Sequence, residues 1–213
     1  MTRARVLIAD DHRILAEGVR GLLEPEFEVV GVVADGRELL AAAKKLKPDV
    51  IVADVTMPSL NGIEAAAQLR DAGTTAKVVI LTMHRDVAYA RRAMEAGASG
   101  FVLKHSVSSE LVTAIREALR GQTYITPMIA GELLQSYREG DPETSDPSHR
   151  LTVRQREVLQ LIAEGRSAKE VAAVLKISAR TAEVHKARIL EALGLQNTAE
   201  LVQYAIRNGI ISV

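Results

Sequence analysis

The strongest constraint on the fold is an alternation that repeats along the first 120 residues. Short runs rich in Val and Ile alternate with longer segments whose apolar residues recur every three or four positions, which is typical of βαβ units in a parallel sheet. Strands are predicted at Val6 to Ala9, Val29 to Val33, Val50 to Ala53, Val78 to Leu81 and Gly100 to Leu103. Helices are predicted at about 13 to 23, 37 to 46, 62 to 71, 87 to 96 and 108 to 120. Because these strands are apolar throughout, we expect a doubly wound, five-stranded parallel α/β domain with both faces covered.

A polar segment separates this pattern from a second one. A short helix at about Met128 to Gln135 leads into residues 138 to 149, REGDPETSDPSH, which contain two Pro and no large apolar residue. Beyond them no strand pattern remains, and four helices are predicted at about 153 to 164, 168 to 175, 179 to 193 and 198 to 207. The second and third are separated by three residues, as in a helix-turn-helix. We therefore predict an α/β domain at 1 to 122, a short helix and linker at 123 to 149, and an all-α four-helix domain at 150 to 213.

Composition excludes several classes of protein. The chain of 213 residues has no Cys, so disulfide frameworks and thiolate metal sites are impossible. No stretch approaches the roughly 18 consecutive apolar residues of a membrane-spanning helix, so we expect a cytoplasmic protein without a membrane partner. The net charge is zero, but residues 150 to 213 carry ten Lys and Arg against six Asp and Glu. This excess is compatible with binding to nucleic acid.

Polar side chains follow four of the predicted strands. Asp10 and Asp11, Asp54, Thr82 and Lys104 each come directly after an apolar run. Ligands of open parallel sheets bind outside the carboxyl ends of the strands, so these side chains should converge there. Three carboxylates suit a hard cation such as Mg²⁺, and an ammonium with a hydroxyl suits a phosphoryl group carried on one carboxylate. Each residue alone could equally be a helix cap, a turn residue or an ordinary surface residue.

The segments VLIADDH, IVADVTMPSLNGIE, VVILTMH and GASGFVLK resemble the signature segments of response-regulator receiver domains, which have a flavodoxin-like fold. The resemblance implies that Asp54 accepts the phosphoryl group and that Lys104 contacts it. It implies Asp11, Asp54 and the carbonyl of Thr56 as ligands of Mg²⁺ or Mn²⁺, with Asp10 as an outer carboxylate. Thr82 and Phe101 would be a switch pair, although Phe101 could also be a plain core aromatic. Thr56 and His84 are positions where receivers tune the lifetime of the acyl phosphate.

The segment that begins LTVRQREVLQ and ends ILEALGL resembles the LuxR-type helix-turn-helix of the NarL/FixJ subfamily. On its third helix, spacings of three and four residues place Ala182, His185, Ile189 and Leu193 on the face to be buried. The resemblance places the opposite face in the major groove of double-stranded DNA. The candidate DNA-binding residues are Arg180, Thr181, Glu183, Val184, Lys186, Ala187 and Arg188. Glu183 stands where a basic residue is frequent in the family.

Together these patterns predict a response regulator that is not a metabolic enzyme. A sensor histidine kinase or a small phosphodonor would phosphorylate Asp54, and phosphorylation would control homodimerisation and transcription. One alternative is a receiver that serves as a protein-interaction module, with a tail domain that does not bind DNA. A phosphohydrolase of the haloacid-dehalogenase type is disfavoured, because Asp54-Val55-Thr56 lacks the second carboxylate of the Asp-x-Asp motif.

Overall fold

The computed structural model describes residues 3–139 and 151–211, which form two compact units. Strands of the first unit are β1 Arg5–Ala9, β2 Glu28–Val33, β3 Val50–Asp54, β4 Lys77–Thr82, β5 Gly100–Leu103 and β6 Tyr124–Ile125. Its helices are α1 Arg13–Leu23, α2 Gly36–Leu46, α3 Gly62–Asp71, α4 Val87–Glu95, α5 Val107–Leu119 and α6 Pro127–Glu139. Each of the ten predicted elements lies within two residues of its expected bounds.

The sheet is entirely parallel and has the order β2-β1-β3-β4-β5-β6. This confirms the predicted fold class but corrects the strand count, because the sheet has six strands and not five. The sixth strand is only two residues long, too short for a periodic pattern. It forms because Tyr124 and Ile125 pair with Gly100 and Phe101 on the free edge of β5.

The core of this unit lies on both faces of the sheet, as the uninterrupted apolar strands predict. Val6, Val52 and Leu81 pack on one face with residues of α1 and α5. Since neighbouring strand residues point to opposite faces, Leu7 and Ile51 lie on the other face, and both are fully buried. The carboxyl ends of β1, β3, β4 and β5 consequently meet at one edge of a rigid sheet.

Helix α6 extends further than the sequence predicts. It runs to Glu139 instead of ending near Gln135, and so includes the first two residues of the predicted polar linker. The rest of that linker, residues 140 to 149, lies outside the described residues.

Residues 151–211 of the second unit form four helices: α7 Val153–Ala163, α8 Ala168–Leu175, α9 Ala179–Leu193 and α10 Thr198–Arg207. Thr152 and Ser167 form complete capping boxes with Gln155 and Glu170, and the Ser178 side chain caps α9. These caps are local, which is why the sequence predicts the helix starts to the residue. The core of the unit includes Val158, Leu161, Val171, Leu175, Ile189 and Leu201. Within the described ranges, no helix is long and apolar enough to cross a membrane.

Candidate functional site: an acidic pocket at the carboxyl edge of the sheet

The carboxyl group of Asp54 lies at the end of β3 and is almost completely buried, with 3% of the residue exposed. Burial raises its pKa to about 6, against the opposing effects of the Lys104 charge and hydrogen bond and of the Thr56 backbone. The nearby charge of Asp10 adds to the rise. A carboxylate in this position is poorly solvated by water, which makes it a candidate nucleophile.

Gly62, at the start of α3, is packed against the backbone of this carboxylate. Its N–H donates a hydrogen bond of 2.9 Å to the carbonyl of Val55. A Cβ atom at Gly62 would lie 2.0 Å from the carbonyl oxygen of Asp54, so only glycine allows this approach. Gly62 therefore positions the loop that follows Asp54, a role that its place in the motif NGIE does not reveal.

The ammonium of Lys104 joins two of the predicted carboxylates. Its Nζ lies 2.6 Å from Oδ2 of Asp54 and 3.0 Å from Oδ2 of Asp10, and only 7% of its side chain is exposed. Burial lowers the pKa of Lys104, but the charges and hydrogen bonds of Asp54 and Asp10 together outweigh it, so the pKa is raised. Lys104 is thus held in its charged form against the carboxylate of Asp54.

Asp10 and Asp11 complete an acidic cluster with Asp54. Oδ1 of Asp10 accepts a hydrogen bond of 2.8 Å from the backbone N–H of His12. One ligand atom from each of Asp10, Asp11, His12 and Asp54 can be chosen so that all lie within 4.8 Å of one another. Oδ1 of Asp11 is buried without a hydrogen-bond donor among the described residues. These oxygen donors fit a hard divalent cation such as Mg²⁺.

Thr82 is the last residue of β4, and Phe101 lies in β5, which ends just before Lys104. Both residues are fully buried, and the Thr82 hydroxyl oxygen accepts a hydrogen bond of 3.0 Å from the backbone N–H of His84. Phe101 pairs with Ile80 and Ile125 across the sheet. In this conformation the aromatic ring occupies the inward position.

His84 is stacked on Tyr89, with ring centroids 4.6 Å apart and planes at 6°. Burial lowers the pKa of His84, against the opposing charge of Asp86. The resemblance to receiver domains singles out His84 but not Tyr89, because the spacing of two residues on different elements does not indicate that their rings meet. Tyr89 fixes the orientation of an imidazole two residues after Thr82.

In the second unit, one face of α9 is buried and the other is exposed. Ala182 and Ile189 are buried, while His185 and Leu193 are only half-buried. Of the seven candidate DNA-binding residues, Lys186 is half-buried. The other six are exposed: Arg180, Thr181, Glu183, Val184, Ala187 and Arg188. Nδ1 of His185 is buried and has no hydrogen-bond partner among the described residues.

Comparison with known proteins gives a family for both units. Residues 6–116 match the response regulator receiver domain, and residues 149–205 match the bacterial regulatory proteins of the luxR family. The chain is a LuxR-family response regulator. This response regulator is similar over 99% of its length to the transcriptional regulatory protein DegU of Brevibacillus brevis, with 34% identity and 96% of that protein covered.

Solved structures show the same relationship. A two-component response regulator of the LuxR family from Aurantimonas sp. SI85-9A1 is 40% identical, with a TM-score of 0.61, and matches 64% of this chain and 99% of that one. RcsB of Salmonella enterica serovar Typhimurium, solved bound to promoter DNA in the presence of the phosphomimetic BeF3⁻, is 28% identical. That match has a TM-score of 0.65 and covers 95% of this chain and 98% of RcsB.

The raised pKa of Asp54 should make the stability of this response regulator depend on pH. A carboxyl group whose pKa rises on folding stabilises the fold fully below its unfolded pKa, and this contribution is lost as the pH rises through the folded value. For Asp54 the loss falls between about pH 4 and about pH 6. Because Asn does not titrate, the stability of Asp54→Asn relative to wild type should rise across this window, by on the order of 2 to 3 kcal/mol. The loss of the Lys104 ion pair adds a cost that does not change across the window, because Lys104 stays charged throughout it.

Midpoints of urea unfolding at about pH 4.5 and about pH 8, with a chelator present, measure this difference. Asp71→Asn, at an exposed position on α3, serves as the control. A stability difference between Asp54→Asn and wild type that is the same at both pH values contradicts the prediction.

Proposed function

We propose that this response regulator accepts a phosphoryl group on Asp54 from a sensor histidine kinase or a small phosphodonor and thereby controls transcription through DNA binding by α9. The observation that carries the proposal is the pair of contacts from Lys104 Nζ to Asp54 and Asp10, 2.6 and 3.0 Å long, inside an acidic cluster. The cytoplasm, where DNA is accessible, is the location that this proposal requires. The domain limits 1–122, 123–149 and 150–213 form part of the same proposal.

In the proposed reaction, an Oδ atom of Asp54 attacks the phosphorus of the donor. The new O–P bond forms as the bond to the donor's leaving atom breaks, and the donor keeps that electron pair. Asp11, Asp54 and the Thr56 carbonyl would hold Mg²⁺ or Mn²⁺, with Asp10 as an outer carboxylate. When bound, the cation neutralises charge on the transferred group. The enzyme-like chemistry is limited to the receiver's own phosphorylation and the later hydrolysis of its acyl phosphate.

Phosphorylation changes what Lys104 and Thr82 contact. The ammonium that now contacts Asp54 and Asp10 would move to a phosphoryl oxygen, since that group carries more negative charge than the carboxylate it replaces. The Thr82 hydroxyl would turn from the His84 N–H toward another phosphoryl oxygen, and Phe101 would adjust to the space. A packed core that allows two arrangements converts this local change of charge into a change at the surface.

The exposed face of α9 is the proposed DNA-binding surface. Thr181, Lys186 and Arg188 would contact phosphates, which fix register without reading sequence. Val184, with 43% of its surface exposed, would contact a base edge, where an apolar side chain can pack on a thymine methyl. The bound promoter DNA in the RcsB structure supports this assignment for a protein of the same architecture.

The oligomeric state tests the proposal as a whole. Treatment with acetyl phosphate and Mg²⁺ should convert a monomer or weak dimer into a stable dimer, because the phosphorylated receiver exposes a changed surface to a second copy. Size-exclusion chromatography with light scattering, before and after treatment, measures this change. An untreated protein that is already a tight dimer at nanomolar concentration contradicts it.

Glu183 offers a test of how α9 reads DNA. Its carboxylate is exposed and forms no ion pair with Arg180 or Lys186 among the described residues, so it is available to accept a hydrogen bond from cytosine N4. We expect wild type to prefer a C at one half-site position. Glu183→Lys should bind random DNA more tightly and lose about 1 to 3 kcal/mol of discrimination at that position.

Binding-site selection with both proteins at one salt concentration measures this discrimination, since phosphate contacts depend on salt. Glu191→Lys, which makes the same change of charge at an exposed position of α9 outside the candidate DNA-binding residues, is the matched control. An unchanged consensus would mean that Glu183 reads no base. If neither protein bound DNA, the chain would act as a protein-interaction module instead.

A further inference from the structure

The imidazole of His12 lies at the rim of the acidic cluster. Its Nδ1 is 2.9 Å from Oδ1 of Asp11 and 3.5 Å from Oδ1 of Asp10. His12 is the residue that precedes α1, but its side chain makes no capping hydrogen bond to the helix. The cluster therefore contains a nitrogen donor in addition to its carboxylates.

The spacing of these atoms fits ligands that share one ion. Two ligands about 2.1 Å from a cation, at octahedral or tetrahedral angles, lie roughly 3.0 to 3.4 Å apart. The two Nδ1 distances, 2.9 and 3.5 Å, are close to this range. Oδ1 of Asp11 is buried and accepts no hydrogen bond from any residue that the structure describes, so it has a lone pair to offer. The imidazole itself is 63% exposed, which leaves that side of the cluster open to an entering ion.

We propose that His12 is a metal ligand when a borderline divalent cation such as Zn²⁺, Co²⁺ or Ni²⁺ occupies the acidic cluster, together with Asp11 and a further carboxylate. This inference rests on the proposed metal site and extends it from hard to borderline ions. Imidazole is a preferred ligand of Zn²⁺, Cu²⁺ and Ni²⁺, whereas Mg²⁺ favours oxygen donors and retains several water molecules. His12 thus separates two classes of ion at one site. Borderline ions held by His12 compete with Mg²⁺ for the receiver.

Metal titration of the full-length, tag-free and metal-free protein tests the role of His12. Calorimetry with Co²⁺ and with Mg²⁺ gives the two affinities, and the visible spectrum of bound Co²⁺ reports whether nitrogen is among its ligands. Removing even an outer partner of a metal ligand typically costs about 10- to 100-fold in affinity. We therefore expect His12→Gln to lower the Co²⁺ affinity by at least about 10-fold and to change the Mg²⁺ affinity by less than about twofold. His105→Gln, at an exposed histidine beside Lys104, should change neither.

Tighter binding of Co²⁺ than of Mg²⁺ by wild type does not by itself implicate His12, because most divalent first-row ions bind oxygen sites more tightly than Mg²⁺ does. The comparison of His12→Gln with wild type therefore decides whether His12 is a ligand. An unchanged Co²⁺ affinity and spectrum in His12→Gln, with Mg²⁺ binding intact, would overturn the role of His12 and leave the proposed function standing. Loss of both affinities in His12→Gln would also overturn it, since His12 would then not discriminate between ions. If wild type bound neither ion, the proposed Mg²⁺ site would fail together with the inference.

Discussion

Asp54→Asn should reduce phosphoryl labelling by acetyl phosphate and Mg²⁺ to background. The amide keeps the shape of the side chain at the end of β3, but it supplies neither a nucleophilic oxygen nor an anionic metal ligand. In the variant, the buried ammonium of Lys104 lacks the carboxylate that lies 2.6 Å from its Nζ in the wild-type protein. Without the phosphoryl group, the treated variant should neither dimerise nor gain affinity for DNA. Intact-mass spectrometry of the protein after treatment measures the phosphoryl group directly.

The control for this experiment is Asp71→Asn, which removes an exposed carboxylate on α3 and should be labelled like wild type. The assignment of Asp54 would be wrong if the Asn variant still carried one phosphoryl group per chain. Mapping that group to another carboxylate would identify the true acceptor.

Lys104→Ala should separate phosphorylation from its consequences. Asp54 remains, so the receiver should still accept a phosphoryl group, although more slowly. Without the Lys104 ammonium, the phosphoryl group loses a contact that it would make in only one of the two conformations. It should then no longer shift the equilibrium between them. We expect phosphorylated Lys104→Ala to remain as monomeric as the untreated protein. Chromatography with light scattering, after mass spectrometry has verified the label, measures this.

The unphosphorylated Lys104→Ala protein should also be less stable at neutral pH. Removing one partner of a buried ion pair leaves the other charge uncompensated, which typically costs about 3 to 5 kcal/mol. Part of this cost would be avoided by protonation of Asp54, whose pKa already lies at about 6. Lys44→Ala, an exposed lysine on α2, is the matched control. A labelled Lys104→Ala protein that dimerises like wild type would show that Lys104 does not transmit the signal.

Local sequence determines most of the secondary structure of this protein. Buried parallel strands are apolar on both faces, so β1 and β3 stand out as uninterrupted runs. Helix starts are set by side chains within three residues of the cap, so those of α7, α8 and α9 are predicted to the residue. The parallel sheet also brings its carboxyl ends to one edge, which is why five polar residues at strand ends could be named as a site.

The tertiary structure decided what the pattern could not. Strand β6 exists because the edge of β5 offers unpaired backbone groups, and two residues leave no periodic signal. The need for glycine at Gly62 arises from the carbonyl of Asp54, eight positions away along the chain. The stacking of His84 on Tyr89 and the contact of Lys104 with Asp54 likewise depend on how separate elements pack. The raised pKa of Asp54 follows from burial. Burial is a property of the assembled site and not of the local sequence, because the dielectric environment of a charge is set by every atom around it.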